Sequence, residues 1–453
     1  MSFANPIIEA GLSGLTELLA DRAVTPVEVY QAYQSRIDGL DGALGCFVAQ
    51  DKTRAEQDAH ESAERWANGT ARSMIDGAPI AVKANIAVEG LPWHGGIGAY
   101  RDRIAEADAP VIAQLRSAGA VILGLVNMHE GAFGALTDNP WFGRTQNPWK
   151  HGYSAGGSSG GSGAAVAAGL CAAALGSDTL GSVRIPSAFN GVFGHKPTQG
   201  LISTGDVIPM SWTLDHVGVH GRSADDCARL LASACGAEAE LASEISRPSS
   251  LESLIDAPLA VLNLHGFPCD DSQRAALTAA VAKARRLGFE VEEVTLDGYD
   301  FQEAFRLGVI ISGAESSAEH AEILGLSTEG FSAEYRANMG MGGNQTAAIL
   351  AAAYRDLGEL AEAARAELGA YQGLLLPTTP CTAYSFDAGQ SPIVALYTTL
   401  GNVVGLPATA FPMGLSADEM PLSVQALAWD DETSLGLARA LAEPVGAPPS
   451  FRG

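Results

Sequence analysis

Three stretches of the chain hold residue types that do chemistry on carbonyl groups. Lys83 is one of only five lysines in 453 residues (Lys52, Lys83, Lys150, Lys196 and Lys283), and Ile80, Ala81, Val82, Ala84 and Ile86 surround it. Burial of such an amine disfavours its charge and lowers its pKa from about 10.4 toward a range where it accepts a proton. The alternative is a strand-end lysine whose ammonium snorkels to water. The second stretch, Ser154 to Gly163, is a Gly/Ser tract that runs into a small-residue helix, and such a loop can present backbone N–H groups and hydroxyls to a ligand. The third, Leu175 to Pro186, carries Ser182 directly after Gly181, with consecutive peptide N–H groups nearby. A nucleophilic serine with an oxyanion hole requires that arrangement.

Other readings of the same letters fail. Gly156-Gly157-Ser158-Ser159-Gly160 satisfies G-x-S-x-G, yet Asn147 to Tyr153 contains proline and no β-branched run, so the strand of a nucleophile elbow is missing. The tract lacks the lysine of a phosphate loop, and the residues three before the five lysines are Ala49, Ile80, Asn147, Phe193 and Ala280, so no Ser-x-x-Lys exists. The six cysteines form no C-x-x-C pair and no metal-ligand spacing with histidine, which points to reduced thiols and no metal site. With 27 basic and 52 acidic residues the net charge is −25, a field that repels nucleic acid and anionic membrane surfaces.

These residues must be positioned by a fold that alternates helix and strand. Gly11 to Leu40 reads as two amphipathic helices, the second opened by Thr25-Pro26 with Glu28 following, and Arg54 to Ala67 reads as a third. Pro79 to Lys83 reads as a buried strand, Asp108 to Ala118 as a helix leading into a strand at Val121 to Leu123, and Ala164 to Leu170 as the small-residue helix. Pro258 to Leu264, Asp271 to Leu287 and Phe289 to Leu296 form a strand–helix–strand unit, and Gln372 to Pro377 is a late strand. The Ser/Glu-rich segment Glu238 to Ser253 is the best surface linker, but composition does not change around it. One continuous domain over 1–453 is therefore expected: N-terminal helices over about 1–70, a catalytic core over about 75–235 and further α/β elements over about 255–453. Met1 to Gly14 lacks the features of a secretory leader. The longest apolar or small-residue stretch, Gly163 to Gly176, falls short of the about 20 residues a membrane span needs, so a cytoplasmic protein is expected.

The segments APIAVKANI, SAGGSSGGSGAAVAAG and ALGSDTLGSVRIPSAFNGVFGHKPT resemble the amidase signature family, with further echoes in AGAVILGLVNMHE, LLLPTTP and GLPATAFPMGLSADEMPLSVQ, so that the likeness covers nearly the whole chain. The resemblance implies an α/β amidase signature fold, a central mixed β-sheet covered by helices on both faces. It also implies a relay in which Ser182 is the nucleophile, Ser158 the bridging serine in a cis peptide after Gly157, and Lys83 the terminal base. A neutral Lys83 would draw a proton from Ser158, which draws one from Ser182, and activity would fall at low pH. Backbone N–H groups near Thr179, Leu180, Gly181 and Ser182 would hold the oxyanion. Asp178 and Arg184 would brace that loop, and His129 and Ser159 are candidates for the substrate pocket. With the relay supplying a base, His195 and His216, the latter beside Asp215, read as structural or pocket-lining.

The implied reaction is hydrolysis of a C–N amide or ureide bond of a small substrate by water through an acyl-Ser182 intermediate, with neither metal nor organic cofactor. Leu180 departs from the family's usual glycine, as in relatives acting on small ureido acids such as allophanate and carboxybiuret hydrolases, and its branched side chain should narrow the site. His195 replaces a commoner leucine, and Trp93-His94-Gly95-Gly96 a more usual Thr-rich segment. Two alternatives stand beside this reading: the glutaminase component of a tRNA-dependent amidotransferase, releasing ammonia for a partner, and a non-catalytic amidase-fold scaffold. No direct nucleic-acid contact and no membrane contact are expected; a homodimer or a small partner subunit stays open.

Overall fold

The computed structural model describes residue 3, residues 5–236 and residues 250–449. Thirteen strands are formed among these residues: β1 (Phe47–Ala49), β2 (Pro79–Lys83), β3 (Val121–Val126), β4 (Asp138–Asn139), β5 (Gly143–Arg144), β6 (Ala173–Asp178), β7 (Phe193–Lys196), β8 (His216–Gly221), β9 (Leu259–Leu262), β10 (Val291–Val294), β11 (Gly373–Pro377), β12 (Ala408–Leu415) and β13 (Pro421–Ala428). Eleven join one sheet in the order β1-β3-β2-β6-β8-β7-β12-β13-β11-β9-β10, while β4 and β5 pair separately. The sheet is mixed. The triplet β3-β2-β6 is parallel, the run from β6 through β8, β7, β12 and β13 to β11 is antiparallel, and β11-β9-β10 is parallel again. Helices flank it. Strands β2, β3, β6, β8, β11 and β13 are buried along their whole length, as expected of strands covered on both faces.

Local chemistry sets the helix ends that were legible in sequence. The helix Pro26–Leu44 starts in a complete capping box: Thr25 accepts from the Glu28 N–H and the Glu28 carboxylate accepts from the Thr25 N–H, with Pro26 at the first helical position. Helices Gly11–Ala20, Lys52–Asn68 and Asp271–Leu287 and the parallel pair β9/β10 also lie where periodicity places them. The small-residue helix starts earlier than propensity suggests, at Gly160 within the glycine tract, and runs to Ala167. Glycine is a weak helix former, but all eight residues of this helix are buried and tertiary packing overrides the local cost. Most of the linker segment from Glu238, namely 238–249, lies outside the described residues.

The entry to β2 is fixed by a buried carboxylate. Asp76 accepts from Ser62 Oγ at 2.7 Å, from Arg65 Nε and Nη2 at 2.9 and 2.7 Å, and from the Arg72 N–H at 2.8 Å. Its carbonyl also takes the Trp66 indole N–H at 3.0 Å. Helix Lys52–Asn68 is thereby tied to the residues that lead into β2, the strand that ends on Lys83. Removing one partner of a buried pair leaves the other uncompensated, at a cost of about 3–5 kcal/mol. Asp76→Ala is therefore expected to lower the unfolding free energy obtained from urea denaturation by an amount in that range, and Asp76→Asn by less.

Candidate active site

Lys83 and Ser177 stand near the C-terminal ends of two neighbouring parallel strands, β2 and β6, whose register pairs Val82 with Leu175. Open α/β sheets collect ligand-binding groups at such ends. The Lys83 side chain is wholly buried; Nζ lies 2.7 Å from Ser158 Oγ, 2.8 Å from Ser177 Oγ and 3.4 Å from the Ser177 carbonyl oxygen. A neutral amine has two N–H donors and one lone pair, which matches two oxygens of Ser177 and one hydroxyl of Ser158. Asn85 Nδ2 donates to Ser177 Oγ at 3.2 Å and to the Ile208 carbonyl at 3.3 Å, holding Ser177 in place. Burial drives the Lys83 pKa down from 10.5 to about 7, against the opposing pull of the Asp215 and Asp178 carboxylates.

Ser158 follows a cis peptide bond from Gly157, and its carbonyl accepts the His129 N–H at 3.0 Å. The Ser182 main chain is docked against it: the Ser182 carbonyl accepts the Ser159 N–H at 3.2 Å. Ser182 is 9% exposed and opens onto a pocket of about 300 Å³, which Gly157 and Leu180 also line. Of the two contacts that the expected relay needs, one is made. Lys83 touches Ser158, whereas the Ser182 hydroxyl makes no hydrogen bond to another described residue.

The loop after β6 is braced from within. Asp178 accepts the Gly181 N–H at 2.8 Å and the Val183 N–H at 3.1 Å, and it pairs with the buried Arg184 guanidinium at 3.0 and 3.1 Å. Arg184 also donates to Asn402 Oδ1 at 2.6 Å and Gln425 Oε1 at 2.9 Å, so its donors face protein groups and not the pocket. Burial alone would raise the Asp178 pKa, but Arg184 and Asn402 hold it well below the usual carboxylate range. Gly181 adopts φ +131°, and a Cβ there would fall 2.1 Å from Thr398 Oγ1, so only glycine fits.

Two expectations need correction and one needs narrowing. The Gly181 N–H is engaged by Asp178 and is not free for an oxyanion; the N–H groups of Thr179, Leu180 and Ser182 have no acceptor among the described residues. Ser159 does not line the pocket: its hydroxyl donates to the Ser177 carbonyl at 3.1 Å and accepts the Ser177 N–H at 3.3 Å. His129 does not line it either. Its ring packs under Gly134, facing a separate crevice with Glu130 and Tyr335, and burial lowers its pKa to about 4. The other histidines are held structurally: His195 by Thr409 Oγ1 and Asp431 Oδ1 at 2.8 and 2.9 Å, and His216 by the Leu214 carbonyl at 2.8 Å.

Sequence reasoning missed Ser177 and Asn85, though both stand within the quoted segments ALGSD and KANI, and it gave Asp215 no role. Asp215 accepts from Thr179 Oγ1 at 2.5 Å and from the Met210 and Ser211 N–H groups at 2.9 and 3.1 Å. Burial raises its pKa to about 6 in spite of these bonds and of Lys83 nearby. It therefore ties the loop after β6, through Thr179, to the electrostatics of the lysine.

A protein-family model described as Amidase matches residues 28–435. The Glutamyl-tRNA(Gln) amidotransferase A-type subunit of Aromatoleum aromaticum is 34% identical, covering 92% of this chain and 93% of the relative. Among solved structures, an amidase superposes with TM-score 0.85 at 28% identity, covering 95% of this chain and 99% of that one. A 6-aminohexanoate cyclic dimer hydrolase with bound substrate gives TM-score 0.86 at 25% identity, covering 99% and 100%.

A base with a pKa of about 7 accepts a proton only as pH rises through that value. If Lys83 is that base, kcat/KM should climb with pH through about 7 and level off above it. Asp215→Asn keeps an acceptor for Thr179 but removes a carboxylate that favours charged Lys83, so the acid limb should move to lower pH. A purely structural role for Asp215 would lower the rate without moving the limb.

Proposed function

The chain belongs to the amidase family, and from that premise we propose that it hydrolyses the C–N bond of a small amide through an acyl-Ser182 intermediate, with Lys83 and Ser158 as the proton relay. The observation that carries this reading is the 2.7 Å contact between a fully buried Lys83 amine and Ser158 Oγ, beside a serine that opens onto a pocket.

Attack requires a hydrogen bond from the Ser182 hydroxyl to Ser158 that the structure does not yet form, and the Ser182 main chain already sits against the Ser159 N–H. Catalytic hydrogen bonds are often loose in the free enzyme and tighten around substrate. Ser182 Oγ then bonds to the carbonyl carbon, its proton passes to Ser158, and the Ser158 proton passes to the lone pair of Lys83. The oxyanion forms within reach of the N–H groups of Thr179, Leu180 and Ser182. Return of the proton along the same relay to the nitrogen breaks the C–N bond and releases the amine. Water attacks the acyl-serine by the same route, giving the carboxylic acid and free Ser182.

The similarity to these amidotransferase components favours a second reading, in which glutamine is the amide and the ammonia passes to a partner protein. The two separate on one assay: ammonia release from glutamine that rises only on adding a partner protein supports the second.

A fluorophosphonate should label Ser182, as read by mass spectrometry of the modified peptide, and Ser182→Ala should abolish both labelling and turnover. Lys83→Ala should lower kcat/KM by about 10²–10⁴, the range expected for loss of a general base. Labelling that persists in Ser182→Ala, or turnover unaffected by Lys83→Ala, would overturn the reading.

A further inference from the structure

We propose that this pocket takes amides with an uncharged, apolar acyl group of about phenyl size, and that Leu180 packed on Gly308 sets its depth. The inference rests on the reading of Ser182 as nucleophile and adds the substrate class.

The pocket is built from both halves of the chain. Leu180 and Ile185 flank Ser182, Phe133 comes from the loop after His129, and the far wall is Phe305 and Val309 of the helix Phe301–Glu319 with Met341 of the helix Ala333–Gly343. None of the described lining side chains carries a formal charge. Its two amide side chains hold the Phe133–Ala135 main chain: Asn338 Nδ2 donates to the Phe133 carbonyl at 3.1 Å, and Gln390 Oε1 accepts the Ala135 N–H at 2.8 Å. Each leaves its other amide atom without a partner among the described residues, one acceptor and one donor for a neutral polar group. Glutamine would bring an ammonium and a carboxylate into this space, and a ureido acid a carboxylate, with no lining charge to meet them. Desolvating an unpaired ion is far more costly than desolvating an apolar group. Size agrees with the chemistry: an apolar cavity of about 150 Å³ admits benzene, and this one is about 300 Å³.

Leu180 lies against the helix Phe301–Glu319 at Gly308, which has no side chain. A Cβ on Gly308 would fall 2.9 Å from Leu180 Cδ2. Shortening residue 180 opens space against Gly308, and adding a methyl at 308 pushes Leu180 toward the pocket. The pair is therefore a depth stop next to the nucleophile.

The test measures kcat/KM for benzamide, 4-butylbenzamide, hexanamide, glutamine and allophanate, with fluorophosphonate labelling of Ser182 in parallel. Benzamide or hexanamide should exceed glutamine and allophanate by at least about 100-fold. Leu180→Ala should raise the ratio of 4-butylbenzamide to benzamide by about tenfold or more, and Gly308→Ala should lower it. Because ratios are read, a general loss of activity in either variant does not obscure the result. Labelled Ser182 with glutamine or allophanate preferred would overturn this inference and leave the nucleophile standing. A ratio unmoved in both variants would remove the depth stop. Unlabelled Ser182 with no turnover of any amide would sink the nucleophile and the substrate class together.

Discussion

The active centre depends on keeping one amine dry without leaving it unbonded. Lys83 is fully buried, and an isolated ammonium there would bear a large desolvation penalty. The fold answers by letting the amine lose its charge near neutral pH and by surrounding it with hydroxyl and carbonyl oxygens instead of a tight carboxylate partner. Two carboxylates, Asp215 and Asp178, act on it at a distance, and both are bound to other groups. Had either formed a direct ion pair with Lys83, the charged form would win and the amine would lose the lone pair with which it can accept a proton.

The second buried charge is managed in the opposite way. Asp178 and Arg184 are both at zero exposure, directly paired, and their remaining bonding capacity is taken up by Asn402, Gln425 and peptide N–H groups of the same loop. A buried ion pair adds little net stability, but removing one partner is severe, so such a pair fixes geometry more than it stabilises the fold. Here the geometry fixed is that of residues 179–183, held through Asn402, which precedes β12, and Gln425 of β13. Residues late in the chain thus hold a loop that follows an early strand, which the mixed sheet permits because β7, β12 and β13 are neighbours.

Much of this was legible in the residues. Caps and apolar periodicity placed the N-terminal helices, β2, and the β9/β10 unit, since local chemistry decides those. The residues of the proposed relay were named through motif resemblance alone, because Lys83 and Ser158 stand 99 and 24 residues before Ser182 along the chain and no spacing rule brings them together; of the two contacts, the structure forms the one between Lys83 and Ser158. Contacts that join such distant residues were not legible: Asp215 to Thr179, Asn85 to Ser177, and, closer in sequence, the capture of the Gly181 N–H by Asp178. Hydrogen bonds of that kind depend on register and on backbone direction, which composition does not encode. The helices Phe301–Glu319 and Ala347–Leu368 went unread despite helix-forming sequences such as AAILAAAYRDLGELAEAARAEL, and with the first of them the far wall of the pocket.

Leu180 shows why reaction class and substrate class part company. Lys83, Ser158 and Ser182 stand at a strand end and on loops locked by buried polar bonds, whereas the pocket wall includes side chains of helices that meet it by apolar contact. Apolar contacts tolerate exchange of shape far better than a hydrogen-bonded network tolerates loss of a member. Leu180 belongs to both systems: its carbonyl accepts from Thr398 Oγ1 at 2.6 Å, its N–H has no acceptor among the described residues, and its side chain rests on Gly308. The main-chain part is indifferent to the side chain, so residue 180 can change what enters the pocket while the loop after β6 keeps its bonds.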